Sequence, residues 1–180
     1  MGFNDARRGV MGYYDLAREA RLILTNLKKA APAAPSPNPQ IVLWEARLQD
    51  LGIHVASALV EMEDLEGAAR HLRSLKPASG TEGDLEFHKA LLWLYIGDVS
   101  AARSCISKDG TGRDDKVILA LSLIADSDPA AAVPIWEELI AESPAGGATA
   151  MYRQNLAVCY LYLGRLSDVR IFVPYSLLET

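Results

Sequence analysis

Four short turns, each placed after an apolar helical stretch, constrain the fold of this chain more than any other feature. They are Glu63-Asp64-Leu65, Gly97-Asp98-Val99, Ser127-Asp128-Pro129 and Gly164-Arg165-Leu166, separated by 34, 30 and 37 residues. Before the last turn, the apolar residues of segment 155–163 recur at steps of three and four, and a second apolar stretch begins directly after it. This is the pattern of a helix, a tight turn and a second helix. The sequence therefore predicts a repeated helical hairpin.

Side-chain size repeats in register with these turns. Alanine stands seven residues before the first residue of each turn, at Ala56, Ala90, Ala120 and Ala157. A small or slim residue stands five residues after it, at Ala68, Ala102, Ala132 and Val169, and a large apolar residue nine after it, at Leu72, Ile106, Trp136 and Val173. Two antiparallel helices approach closely only where the facing side chains are small, and bulky neighbours then fill the groove. The two sets of small residues, the small columns, are therefore predicted to be the helix–helix contacts. The set of large apolar residues is the large column.

Helix–turn–helix units with a period near 34 residues and paired small columns make residues 41–173 resemble the tetratricopeptide repeat (TPR) family. Pro144 matches the closing proline of that family. The resemblance implies an all-α fold, a right-handed superhelix of antiparallel helix pairs. The sequence also departs from the family, because the tryptophan early in each first helix is replaced by Gly52, Glu86, Lys116 and Arg153.

The chain divides into three predicted parts. Residues 1–29 form an N-terminal helix, which is either a cap on the first repeat or half of a preceding one. Residues 30–39 are a proline-rich linker, and residues 40–180 hold about four hairpins. After Asp168 the β-branched and aromatic residues and Pro174 are unfavourable for a helix. The last hairpin is therefore expected to end in an irregular cap or a truncated chain end.

Composition favours a folded cytosolic protein. Hydrophobic residues make up 50% of the chain, and charged residues 23%. The formal net charge of −5 argues against a nucleic-acid partner, and neither a membrane-spanning apolar run nor the apolar core of a signal peptide is present. Cys105 and Cys159 lie in apolar helical stretches and are expected to be reduced thiols.

The sequence gives no positive sign of catalysis, of a cofactor or of a small-molecule substrate. His54, His71 and His88 are spaced 17 residues apart, which is half the repeat, so helix histidines explain them better than a zinc site does. Segment 109–115 contains Gly-x-Gly without the strand or the Gly-Lys-Ser/Thr of a nucleotide site. It is interpreted as a loop in which Asp114 or Asp115 caps the next helix. A metal protein or an enzyme remains the less favoured alternative.

The TPR resemblance also implies a partner-binding groove lined by the first helix of each hairpin. The positions that would face it are Asp50, Ile53, His54, Ser57, Asp84, Phe87, His88, Leu91, Tyr95, Asp114, Val117, Gln154, Asn155, Val158 and Tyr162. Three aspartates in this set give the apolar groove an acidic edge. Such a groove suits an amphipathic or extended protein segment that carries some lysine or arginine.

Three stretches, 9–21, 43–72 and 155–168, are similar to the subunit-12 type of the trafficking protein particle (TRAPP) complex in its fungal form. This resemblance implies the C-terminal TPR region of a larger, non-catalytic subunit of a vesicle-tethering complex. Its partners would be other subunits of that complex, and it would reach endoplasmic reticulum or Golgi membranes through them. The alternative is a TPR adaptor that binds short apolar and basic peptide segments in another assembly.

Overall fold

The structure, a computed structural model, describes residues 3–30, 38–78, 82–107, 109–143 and 146–169. Within these ranges the chain forms nine α-helices and no strand, which confirms the predicted all-α class. The helices are α1 (Phe3–Ala30), α2 (Pro39–Glu61), α3 (Leu65–Ser74), α4 (Glu82–Ile96), α5 (Val99–Ser104), α6 (Arg113–Ala125), α7 (Pro129–Glu142), α8 (Gly147–Tyr162) and α9 (Leu166–Val169). Most of the predicted linker, Pro144 and the tail beyond Val169 lie outside the described residues.

Each of the four predicted turns begins with a residue in the left-handed region. The φ angles are 61° at Glu63, 91° at Gly97, 64° at Ser127 and 69° at Gly164. In three of them the N–H of the following residue donates to the carbonyl five residues back, at 3.0 Å for position 64 and 2.8 Å for positions 128 and 165. This bond closes the end of the first helix, so the turn columns in the sequence mark the true helix ends.

An aspartate in the first three turns caps the second helix of its hairpin. The carboxylates of Asp64, Asp98 and Asp128 accept the backbone N–H three residues further on, at 2.9, 2.9 and 3.2 Å. In the fourth turn Arg165 takes this position, and its guanidinium instead pairs with Asp168 at 2.7 Å. An arginine cannot accept the N–H bond, so the fourth hairpin lacks the cap that the other three share.

The left-handed turns give a prediction about stability. Replacing Ser127 by glycine is expected to raise the free energy of unfolding by about 1 kcal/mol, because glycine adopts a positive φ without the steric cost of a Cβ. The reciprocal change Gly164→Ser is expected to lower it by a similar amount, since a Cβ there would meet no neighbouring atom and only the backbone cost remains. Urea unfolding of both variants measures the two changes in the free energy of unfolding. Changes of the same sign in the two variants would contradict the expectation.

The small columns are buried in the first three hairpins. The fully buried alanines are Ala56, Ala68, Ala90, Ala102, Ala120 and Ala132. Of the large column, Leu72 and Trp136 are also fully buried, while Ile106 is half-buried. In the fourth hairpin Ala157 and Val169 are only half-buried, and Val173 lies outside the described residues. The predicted contact between the two helices of a hairpin is thus confirmed for the first and third hairpins, where α2 packs on α3 and α6 on α7. In the fourth hairpin the corresponding positions are less buried.

The chain divides into two compact units, Met1–Ile96 and Gly97–Thr180. In the first, α1 packs along α2, and α2 also contacts α3 and α4. The Lys28–Glu45 ion pair at 2.7 Å and the stacking of Tyr13 on His54 show that α1 and α2 run antiparallel. The core of this unit contains Val55, Leu59, Val60 and Ala68, with Tyr13, Ala58, Met62, Leu92 and Ile96 packed around it.

The second unit is built around α7, which packs against both α6 and α8. The Trp136 indole of α7 is fully buried and lies 5.8 Å from the Tyr152 ring of α8. On the other side, Lys116 of α6 bridges Glu138 and Glu142 of α7, each at 3.1 Å. Cys105 and Cys159 are free thiols, as expected, and burial raises the pKa of Cys159. These contacts hold the third hairpin and the first helix of the fourth together.

Gly112, not Asp114 or Asp115, is the N-cap of α6, so the capping prediction is wrong. Asp115 lies in the first helical turn and reaches back to accept the Ser107 N–H at 3.0 Å. The absence of the family tryptophan at Gly52 also has a physical reason, because the Leu75 side chain occupies the space that a Cβ there would fill.

Candidate functional site

A groove of about 340 Å³ runs along the first unit where α1 and α2 lie side by side. Its walls come from one face of each helix. The lining residues are Leu16, Glu19, Ala20, Ile23, Trp44, Arg47, Asp50, Leu51 and His54. A cleft of this size is within the range of sites that bind small molecules or the side chains of a partner segment.

The floor and walls of the groove are apolar and partly open to solvent. Leu16 is 52% exposed and Ile23 37% exposed, although both are large aliphatic side chains. At one end Arg47 lies over the Trp44 ring, with its guanidinium carbon 4.8 Å from the ring centroid. This cation–π contact holds the arginine against the wall. The groove thus presents apolar surface that the unit itself leaves uncovered.

Negative charge is concentrated at the middle of the groove. Glu19 of α1 and Asp50 of α2 are both exposed, and neither forms an ion pair within the described part of the chain. His54, at the far end, stacks on Tyr13 with ring centroids 5.6 Å apart and an interplanar angle of 12°. The groove therefore combines an apolar lining with two carboxylates that lack a cation.

Of the residues predicted to face a partner, Asp50 and His54 line this groove. Ile53 and Ser57, on the same helix, are half-buried, and the Ser57 hydroxyl donates to the Ile53 carbonyl at 3.0 Å within α2. The structure therefore places two of the four α2 positions at a cleft, but the opposing wall is α1 and not the next repeat.

The five predicted positions on α4 divide between surface and interior. Asp84, His88 and Tyr95 are exposed, and Tyr95 reaches 75% exposure. Phe87 and Leu91 are half-buried. The His88 ring packs edge-on to Phe87 with centroids 5.8 Å apart, and its Nδ1 lies 2.7 Å from the Asp84 carbonyl oxygen. The exposed part of this face is therefore available to solvent.

The predicted positions of the second unit also differ among themselves. Asp114, Gln154 and Tyr162 are exposed, while Asn155 and Val158 are half-buried. Val117 is only 3% exposed, so its prediction as a partner-facing residue is wrong. The next residue of α6, Ile118, is buried as well, at 2% exposure.

Sequence reasoning missed the α1 wall of the groove. Leu16, Glu19 and Ile23 recur at steps of three and four, one position away from the buried Ala17 and Ala20. The available signal was the width of the apolar stripe on this helix. It is wider than a contact with a single helix requires, since a helix packed on one neighbour buries only a narrow face. Trp44 and Arg47 gave no separate signal in the sequence.

The three histidines have separate environments and do not converge. His54 stacks in the groove, His88 packs on Phe87, and His71 is half-buried between α2 and α3, where its Nε2–H donates to the Gly52 carbonyl at 3.1 Å. Across the part of the chain that the structure describes, no group of three or more histidine, cysteine, aspartate or glutamate residues is arranged to hold a metal ion. None of the described helices has the length and apolar character needed to cross a membrane.

The His71 environment predicts a pH dependence of stability. Burial, and to a smaller extent the positive charge of Arg21, lower the pKa of His71 below its ordinary value of 6.5, although the bond to Gly52 opposes them. Below about pH 6.5 the unfolded chain therefore takes up this proton before the folded chain does, and stability falls as the pH falls. Thermal unfolding between pH 7.5 and 5 should show a smaller acid-dependent decrease in the unfolding temperature for His71→Gln than for the native chain.

The matched control for this experiment is His88→Gln, which changes an exposed histidine. It is expected to keep the native pH profile of the unfolding temperature. An unchanged acid-dependent loss in His71→Gln would show that burial of this imidazole does not contribute to the pH dependence.

No protein family, curated protein or solved structure matches the chain. The repeated hairpins and the α1–α2 groove are therefore the features from which a function is inferred.

Proposed function

We propose that the protein is a non-catalytic scaffold for protein–protein interactions, built as a right-handed superhelix of TPR-like hairpins. The observation that carries this proposal is the burial of two alanine columns in register with three turns that share an aspartate cap. Tandem hairpins of this kind bury a continuous core between neighbours and leave extended surfaces for partners. The proposal includes no cofactor, no small-molecule substrate and no nucleic-acid partner.

Exposed apolar side chains support a partner-binding role. Leu16 in the groove, Tyr95 at the end of α4, and Tyr162 and Leu166 around the last turn are each more than half exposed. Single exposed apolar residues are common on protein surfaces, but contiguous exposed apolar surface marks interaction sites. The groove on the first unit meets that description because the exposed Leu16 and Ile23 line one cleft together with the half-buried Trp44 and Leu51.

The narrower proposal is that the partners are subunits of a TRAPP-type vesicle-tethering complex. It depends on the similarity of segments 9–21, 43–72 and 155–168 to the subunit-12 type of that complex. The chain would then be cytoplasmic and would reach endoplasmic reticulum or Golgi membranes through its partners, without inserting into them.

A pull-down with purified core subunits of the tethering complex tests this narrower proposal. The tagged chain is expected to retain at least one subunit at micromolar concentration. Retention should survive Leu22→Glu, which changes an exposed α1 residue that does not line the groove. Absence of binding by the native chain to every subunit would contradict the tethering role.

The second candidate is an adaptor that binds short apolar and basic segments, and the α1–α2 groove favours it. A peptide array covering diverse sequences distinguishes the two. Saturable binding of isolated linear peptides supports the adaptor, whereas binding that requires folded subunits supports the tethering role.

A further inference from the structure

We infer that the α1–α2 groove binds an amphipathic helix of a partner protein, and that a lysine or arginine of this helix lies between Glu19 and Asp50. The inference rests on the proposed scaffold function and deepens it by naming the surface and the chemistry of the partner. The carboxylates, the apolar lining and the groove length each restrict what can bind.

The length of the groove fits a short helix. Its α2 wall extends from Trp44 to His54 and its α1 wall from Leu16 to Ile23. At 1.5 Å per residue these walls are roughly 15 Å and 10 Å long. A helix of two to three turns places apolar residues at i, i+3 or i+4, and i+7 along that distance, whereas an extended chain would place only about four or five residues there. Two parallel helix ridges also provide the groove into which a third helix packs.

The negative charge of the groove favours a partner with positive charge. The Lys28–Glu45 ion pair and the Tyr13–His54 stack define the antiparallel register, which sets Glu19 of α1 opposite Asp50 of α2. Two carboxylates facing each other across an apolar cleft repel, and a cation placed between them removes that repulsion.

The nearest arginine does not supply this cation. Arg47 lies one turn before Asp50, but its guanidinium is held over the Trp44 ring, 4.8 Å from the centroid. The bound helix must therefore bring its own positive charge. An acidic residue at the same position would meet two negative charges, so the groove rejects acidic helices as well as accepting basic ones.

The test uses the full chain and a displayed library of 14-residue helical peptides with randomised charged and apolar positions. Selection is expected to enrich peptides with apolar residues at i, i+3 or i+4, and i+7, and with lysine or arginine on the same face. Individual selected peptides are then synthesised, and their affinities are measured by fluorescence anisotropy at low and high salt.

Three variants locate the binding surface. Leu16→Glu is expected to weaken binding at least tenfold, because it places a charge on the apolar wall. Glu19→Lys combined with Asp50→Lys is expected to weaken it about tenfold at low salt and less at high salt, since salt screens exposed charges. Leu22→Glu on the same helix lies outside the groove and should leave the affinity unchanged. All four positions are exposed, and circular dichroism checks that each variant remains folded.

Four outcomes would overturn the inference. Three of them are enrichment of acidic peptides, binding that is insensitive to Leu16→Glu, and failure to enrich any helical peptide. Concentration-dependent dimerisation abolished by Leu16→Glu would assign the groove to a second copy of the chain and would also overturn it. A chain that binds purified partner subunits but fails these peptide tests would keep the scaffold function and lose only this groove.

Discussion

Replacing Trp136 by alanine is expected to lower the free energy of unfolding by about 3–5 kcal/mol. The indole is fully buried at the centre of α7, where it meets the Tyr152 ring of α8 and occupies the large column of the third hairpin. Removing it leaves a cavity between helices that cannot close without moving their backbones. Urea unfolding followed by circular dichroism measures the loss.

The control for this change is Tyr162→Ala on α8. Tyr162 is 72% exposed, so its removal is expected to change the free energy of unfolding by no more than about 0.5 kcal/mol. A loss below about 1 kcal/mol for Trp136→Ala would contradict the packing of α7 at the centre of the second unit.

Enlarging a residue of the small column should also be destabilising. Ala132→Leu is expected to cost about 1–3 kcal/mol, although leucine is a good helix former and apolar. Ala132 is fully buried where α7 packs against its neighbours, so the added atoms must displace an adjacent helix. The effect distinguishes a close helix–helix contact from a loosely packed apolar face.

Ala130→Leu is the matched control, because Ala130 is exposed on the first turn of the same helix. Its effect on the free energy of unfolding is expected to be within about 0.5 kcal/mol. If Ala132→Leu proved neutral or stabilising while Ala130→Leu behaved as expected, the small column would not mark a tight helix contact.

The turns and the small columns could be predicted from the sequence because both obey local rules. A residue such as Gly97 or Ser127 takes a positive φ, the following aspartate accepts an N–H bond, and an alanine seven residues earlier allows close approach. These requirements act within one hairpin and repeat with it. They therefore produce a periodic pattern of residues that is visible in a single sequence.

The groove could not be predicted in the same way, since it depends on which helices become neighbours. Asp50 and His54 were identified as surface residues of α2, but their partners Leu16 and Glu19 come from a helix beyond the proline-rich linker. Val117 shows the converse, because its position on the first helix of a hairpin suggested exposure while tertiary packing buried it. Helix periodicity defines a face, and only the packing of other helices decides whether that face is covered.

The central claim is that this chain works as a non-catalytic scaffold, and the mass of the complex it forms tests that claim most directly. The tagged chain would be purified from its own cells under gentle conditions and analysed by native mass spectrometry. We expect a discrete complex in which the chain is present in fixed stoichiometry with at least one other protein, reformed when the purified components are mixed. A chain recovered only alone, which binds none of the candidate subunits and turns over a small-molecule substrate, would contradict the account.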